Sequence, residues 1–197
     1  MENQSNTYIF FGKSGSGKGT QADLLIEVLK EKGKKVLYVE TGKRFREFIQ
    51  REENHSAKLT KNLINKGGLM PVFLPVWLWA SSFVEDFSGD EDLVLDGLAR
   101  RMTEAPVLDS ALRFYDRLPC NVIHIDVSRK WAFDRLSSRG RSDDTEEYIN
   151  SRLDWFEKDV SPVIEYFEER KGFDIHIING EQPIEDVHKE LIQKLNL

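Results

Sequence analysis

Nine residues near the start of the chain, Gly12 to Thr20 (GKSGSGKGT), constrain its fold more than any other feature. Gly12, Gly17 and Lys18 satisfy the spacing G-x-x-x-x-G-K. The short apolar run Tyr8-Ile9-Phe10-Phe11 precedes them and suits a strand buried on both faces. Ala22, Leu24, Leu25, Val28 and Leu29 follow at helical spacing. A glycine-rich turn between a buried strand and a helix points successive backbone N–H groups inward. The helix N-terminus adds partial positive charge, so the segment forms a cradle for a polyphosphate. Lys18 would reach the β- and γ-phosphates as a mobile point charge. In a chain with 13 glycines the bare string is only moderately specific; the strand before it and the helix after it make it so. Gly19 follows the lysine and the hydroxyl comes one place later, at Thr20. A metal ion must then lean on phosphates, water and a carboxylate rather than on a hydroxyl next to the lysine.

The remaining pattern alternates strands with helices. Lys35 to Glu40 reads as a second strand, followed by helical stretches over about 43–51 and 57–66, closed by Gly67-Gly68. Residues 71–87 read as a helix with Pro71 in its first turn, where a missing N–H costs little. Asp92 to Asp96 and Asn121 to Val127 read as the third and fourth strands, and Ser128 as the cap of the next helix. A long charged helix is expected over about 144–171, then a fifth strand over Phe173 to Ile178 and a last helix over Ile184 to Leu195. Such alternation predicts an α/β fold, a five-stranded parallel sheet with helices on both faces. The helix pair between the second and third strands is too long for a simple crossover and reads as a small inserted cap.

At 197 residues, 40% hydrophobic and 31% charged, the chain suits one soluble domain. A net charge of −6 argues against broad nucleic-acid or anionic-membrane binding. The N-terminal MENQSNTY has no basic stretch followed by an apolar one, so no signal peptide is expected, and the cytoplasm is the expected compartment. The single cysteine, Cys120, reads as a small buried hydrophobe. His124 and His176 have no partner at metal-ligand spacing.

Arg139, Arg141 and Arg152 place three guanidiniums on an acidic chain within a short stretch, an arrangement that anions would justify. The bland alternative is a solvated helix with ion pairs to Asp143, Asp144, Glu146 and Glu147. Asp96 ends a buried strand, a usual place for a carboxylate facing a bound metal; the alternative is a turn-forming Asp-Gly pair.

GKSGSGKGTQ resembles the phosphate loop of the adenylate kinases and related nucleoside monophosphate kinases, and the resemblance continues in order from about residue 8 to 187. Thr41-Gly42 with Arg46 looks like the family's T-G-x-x-x-R. Gly68-Leu69-Met70-Pro71 looks like the segment lying against the acceptor base. Asp96-Gly97-Leu98-Ala99-Arg100 stands where the family has D-G-F-P-R. Arg135, Arg139, Arg141, Asp143-Asp144 and Arg152 match the R-L-x-x-R, R-x-D-D and R-L elements. Asn179 to Pro183 resembles the turn that touches the donor adenine.

The resemblance implies a P-loop NTPase-type core with a helical acceptor-binding insert at about 41–70 and a short lid at about 139–147. It implies transfer of the ATP γ-phosphoryl group to a nucleoside monophosphate, with AMP the first candidate and GMP, CMP or UMP the alternatives. ATP would contact Gly15, Ser16, Gly17, Lys18, Gly19, Thr20, Arg135, Arg139 and Gln182. The monophosphate would contact Thr41, Arg46, Gly68, Leu69, Met70, Gly97, Arg100, Glu104, Arg141 and Arg152. Lys18, Arg100, Arg139, Arg141 and Arg152 would carry catalysis, and Mg²⁺ would be the cofactor, with Asp96 reaching it through water. A monophosphate oxygen is already anionic, so no general base is needed and none stands out. A kinase acting on a hydroxyl would need one. A nucleotide-binding domain without turnover is the non-enzymatic alternative. Departures bear on the acceptor: D-G-F-P-R has become D-G-L-A-R, Arg101 stands where a Thr usually follows, Glu104 stands where adenylate kinases carry a Gln, and Val72-Phe73 replaces an acidic pair. The apolar run with Trp77 and Trp79 reads as buried helix or a subunit contact, with a monomer the default.

Overall fold

The computed structural model describes residues 5–51, 53–65, 70–140 and 145–197. In chain order the elements are β1 (Thr7–Phe11), α1 (Lys18–Glu31), β2 (Val36–Glu40), α2 (Thr41–Ile49), α3 (His55–Asn65), α4 (Phe73–Glu85), β3 (Asp92–Asp96), α5 (Ala105–Phe114), β4 (Cys120–Asp126), α6 (Arg129–Arg139), α7 (Glu146–Trp155), α8 (Ser161–Glu168), β5 (Phe173–Asn179) and α9 (Ile184–Leu195). The five strands form one parallel sheet in the order β2-β3-β1-β4-β5.

Strand alternation divides the core in two. Tyr8 and Phe10 of β1 face a cluster built with Ala22, Leu25 and Leu29 of α1 and Val187 and Leu191 of α9. Ile9 and Phe11 face the opposite cluster, with Trp79 and Phe83 of α4, Leu108 and Leu112 of α5, and Phe167 of α8. Being covered on both faces is why β1 reads as a continuous apolar run. The chain leaves β1 toward β2 and leaves β3 toward β4. The order therefore reverses between β1 and β3, where a crevice opens beyond the strand C-termini.

Three local features differ from the sequence reading. Helix α4 begins at Phe73, so Pro71 lies before it and Pro75 falls in its first turn, where no intrahelical N–H bond is lost. The charged helix is broken into α7 and α8 by a wider π turn over Phe156–Val160; Pro162 enters α8 without a donor of its own. Helix α5 was not expected between the third and fourth strands, although Ala105, Leu108 and Leu112 recur at helical spacing and are buried. Cys120 is buried at the start of β4. His124 lies against the Phe156 ring, and His176 contacts Asn121 at 3.0 Å.

Candidate active site

The glycine loop after β1 is held from three sides. At Gly15 (φ +85) a side chain would lie 2.9 Å from the Ala132 carbonyl of α6, so only glycine lets that helix approach. The Ser16 N–H donates to the Lys13 carbonyl at 3.1 Å, and the Lys18 ammonium donates to the same oxygen at 3.1 Å. Lys13 itself reaches across to the Val127 carbonyl at 2.8 Å and sits over the Phe156 ring at 5.1 Å. Ser16 is buried, and its Oγ finds no hydrogen-bond partner among the described residues. A hydroxyl left orphaned in a cradle of backbone N–H groups fits an anionic ligand.

Residues 126–128 tie this loop to the rest of the donor side. Besides the Lys13–Val127 bond, the Asp126 carbonyl accepts from the Gly180 N–H at 2.8 Å, and the Ser128 N–H donates to the Glu181 carboxylate at 2.6 Å. Ser128 also caps α6, accepting from the Trp131 N–H at 3.2 Å. Ser16, Gly17, Thr20, Arg135 and Gln182 line one concave pocket, which Gln21 and Gly180 help to shape. Gln182 is oriented by bonds to the Asn179 carbonyl (3.0 Å) and Glu190 (2.9 Å), and Gln21 by one to the Ile184 carbonyl (3.0 Å).

Across the crevice, β3 delivers Asp96 and the turn after it. Asp96 is 8% exposed, and its Oδ2 lies 3.7 Å from where a Gly19 side chain would begin. Burial pushes the Asp96 carboxyl above its ordinary value, opposed by the charges of Lys18 and Arg100. Burial likewise pushes the Lys18 ammonium down; Asp96 opposes this, while Arg100 and Arg139 add to it. These mutual influences bring Lys18, Asp96, Arg100 and Arg139 into one electrostatic cluster. Gly97 (φ +73) leaves room for the Arg100 guanidinium, whose Nε donates to the Gly97 carbonyl at 2.9 Å. A side chain there would collide with that guanidinium.

On the far side of Asp96, its neighbour in register on β2 is Glu40. Glu40 pairs with Arg46 at 3.0 Å, and Thr41 beside it is buried with its Oγ1 unpartnered among the described residues. Glu104 is 3% exposed, so it does not face solvent, and it accepts from the Arg100 N–H at 3.3 Å. Burial raises its carboxyl above the ordinary value, while that bond and the nearby Arg101 and Arg100 charges pull it back. Arg101 donates to the Met70 carbonyl at 2.7 Å. Arg152 on α7 donates to the Tyr148 carbonyl at 3.3 Å. Gly68, Leu69, Arg141, Asp143 and Asp144 lie outside the described residues.

Lys13, Gln21 and Glu40 are the site residues whose individual roles the sequence did not show, and Arg101 was singled out only as a departure from the family's pattern. Glu40 had a signal, a carboxylate ending a strand six residues before Arg46. Lys13 and Gln21 had none, and the role of Arg101 was hidden, because their partners are distant in sequence.

A parallel sheet whose first strand feeds a phosphate-cradling loop, with a lysine, a buried carboxylate and arginines converging above it, defines a P-loop phosphotransferase. The family model for adenylate kinase matches residues 10–172. Adenylate kinase 1 of Nostoc sp. is 33% identical over 183 residues, covering 93% of this chain and 95% of its own length. The adenylate kinase of Corynebacterium aurimucosum is 32% identical over 192 residues (95% and 98%), and that of Prochlorococcus marinus 30% over 187 (95% and 97%). The chain belongs to the adenylate kinase family and is a phosphotransferase acting on a nucleoside monophosphate.

Proposed function

We propose that the chain transfers the γ-phosphoryl group of ATP to AMP, giving two ADP. The observation that carries this reading is geometric: Asp96 Oδ2 lies 3.7 Å from where a side chain on Gly19, next to Lys18, would begin, and Arg100 bonds the Gly97 carbonyl just beyond Asp96 at 2.9 Å. Cations on both sides of one point suit two phosphate groups meeting in line. The glycine loop, Gly15 to Thr20, holds the donor phosphates, and the pocket with Arg135 and Gln182 takes the donor base. Thr41, Arg46 and Arg100 hold the acceptor phosphate, so Arg46 exchanges Glu40 for the substrate. Lys18, Arg139, Arg141 and Arg152 neutralise the transferring group.

Mg²⁺ fits this site as a substrate-borne ion. Among the described residues no cluster of three or more metal-ligating side chains exists, and Gly19 offers no hydroxyl beside Asp96. One buried carboxylate with a phosphate cradle opposite suits an ion that keeps several waters. When bound, the ion would screen the charge of the donor phosphates, and Asp96 is the residue that would help to hold it, through water. Water is the competing acceptor, so the helical insert at 41–70 and the short segment at 139–147 are read as the parts that close before transfer. Among the described residues no helix is long and apolar enough to cross a membrane, and the cytoplasm is the compartment we assign.

Glu104 bears on the acceptor base. An ionised carboxylate only accepts hydrogen bonds and suits the N–H edge of guanine. Burial raises the Glu104 carboxyl above its ordinary value without deciding the base, and the relatives named above are adenylate kinases. AMP is therefore the acceptor we assign, with GMP the second reading. An ADP-release assay with ATP, Mg²⁺ and a panel of AMP, GMP, CMP, UMP and dTMP tests both. AMP should be turned over fastest; a preference for GMP replaces the base, and no turnover with any acceptor overturns the reaction.

A further inference from the structure

The turn between β3 and α5 holds a backbone shape that its residues would not choose freely. Gly97 stands at φ +73, and Ala99, fully buried, at φ +49. The left-handed region costs glycine little but crowds the Cβ of an alanine against the following carbonyl. A residue stays there only where its surroundings over-determine it. The bonds that do so run through the next two residues. Arg100 bonds the Gly97 carbonyl at 2.9 Å, and its N–H donates to Glu104 at 3.3 Å. The Arg101 carbonyl accepts from the N–H groups of Glu104 at 2.8 Å and Ala105 at 3.1 Å, so the start of α5 fixes the Arg101 backbone.

From this fixed base the Arg101 side chain reaches out of the turn. Its Nη1 donates to the Met70 carbonyl at 2.7 Å, across 31 positions of sequence. Met70 packs against a small cluster of Phe48 from α2, Ala57 from α3, and Leu74 and Leu78 from α4. That cluster is the core of the helical insert and is separate from the two that flank the sheet. Two ion pairs also hold α2. Arg44 meets Asp86 at 2.8 Å, but these side chains are 30% and 47% exposed, where water and salt weaken the attraction. Arg46 meets Glu40 at 3.0 Å, and in the proposed reaction it gives up that partner to the acceptor phosphate. The charge-assisted bond from Arg101 to Met70 requires no such exchange.

On the basis of the proposed transfer to AMP, we infer that Arg101 is a positioning residue for the acceptor half, tying the helical insert, through Met70, to the turn that carries Arg100 and Glu104. Arg100 belongs to the acceptor phosphate and Glu104 to its base, while Thr41 and Arg46 lie on the insert. The tie therefore sets how the two halves of the acceptor site face each other. Arg101 itself touches neither substrate. Such a tie serves bound substrate and transition state alike, so its loss acts on KM and not on kcat.

Arg101→Met keeps the apolar stem and removes every donor. Steady-state rates should show KM for AMP raised about tenfold, KM for ATP unchanged and kcat within about twofold of the wild type. Arg101→Lys keeps a charged donor and should recover most of that loss. The loss should persist in a Glu104→Gln background, because it runs through Met70 and not through the carboxyl. Amide hydrogen exchange reads the tie without any substrate: Arg101→Met should speed exchange in α2 and α3 and leave β1 and β4 as they are. A wild-type chain that turns over no monophosphate sinks the proposed reaction, and exchange then decides the tie by itself. An unchanged KM for AMP in an active enzyme overturns the inference. So does a rise in both KM values with a lower thermal midpoint, which marks a general packing defect. A loss that vanishes in the Glu104→Gln background, or unaltered exchange in α2 and α3, overturns it as well.

Discussion

The Lys18 ammonium donates to the Lys13 carbonyl at 3.1 Å, so the lysine proposed to meet the phosphates rests inside its own loop. Moving to the γ-phosphate exchanges one acceptor for a more negative one, which needs no change in the loop itself. Lys18→Ala should lower turnover by at least ~10²–10³ while leaving the thermal midpoint nearly unchanged. Steady-state rates beside a circular-dichroism melt check this. Near-normal turnover would remove Lys18 from the role assigned to it.

Lys13 has a different part, because its ammonium bonds protein rather than the crevice. Its bond to Val127 at 2.8 Å holds the phosphate loop against the start of α6. Lys13→Ala should raise KM for ATP about tenfold, the loss expected for one charged hydrogen bond, and leave KM for AMP unchanged. A general structural defect would move both constants together.

Arg100 and Gly97 form a unit in which the absence of a side chain at one makes room for the other. Arg100→Ala should remove most turnover. Gly97→Ala should do so in part, since it displaces the guanidinium and puts a side chain at φ +73, at roughly 1–2 kcal/mol of backbone strain. Calorimetric titration should show ATP binding to both variants with unaltered affinity and AMP binding weakened.

Glu104 sets a pH dependence. Its folded carboxyl is raised above 4.5 by burial, so the folded chain holds this proton more tightly than the unfolded one. The stabilisation is fully present below the ordinary glutamate value and is lost as pH rises through the raised one. Glu104→Gln removes the titration and keeps an acceptor for the Arg100 N–H. The variant should gain on the wild type as pH rises across that window, by at most about 1.4 kcal/mol per pH unit. Denaturant melts in acid and at neutral pH measure it; a difference that does not change with pH contradicts the raised value.

The elements whose pattern is local could be read directly. DLVLD is a strand from Asp92 to Asp96 as expected, and Ile184 to Leu195 is the last helix with the expected bounds. Helix α5 was missed because Pro106 and Asp109 interrupt a short apolar pattern; Pro106 falls in the first turn and Asp109 is neutralised by Arg113. Trp77 and Trp79 look alike in sequence, yet only the packing of α2, through the Phe48 ring 5.5 Å from Trp77, distinguishes a half-covered indole from a buried one. The same limit hid Arg101. Standing in place of the usual Thr, it shows what it holds only when the fold brings the Met70 carbonyl within 2.7 Å.

Asp126, Val127 and Ser128 join two parts of the donor side: the phosphate loop, through Lys13, and the turn after β5, through Gly180 and Glu181. A pocket braced this way has little chain disorder left to lose. Its calorimetric signature should be ATP binding with a small heat-capacity change, set by the surface the base covers and not by coupled folding.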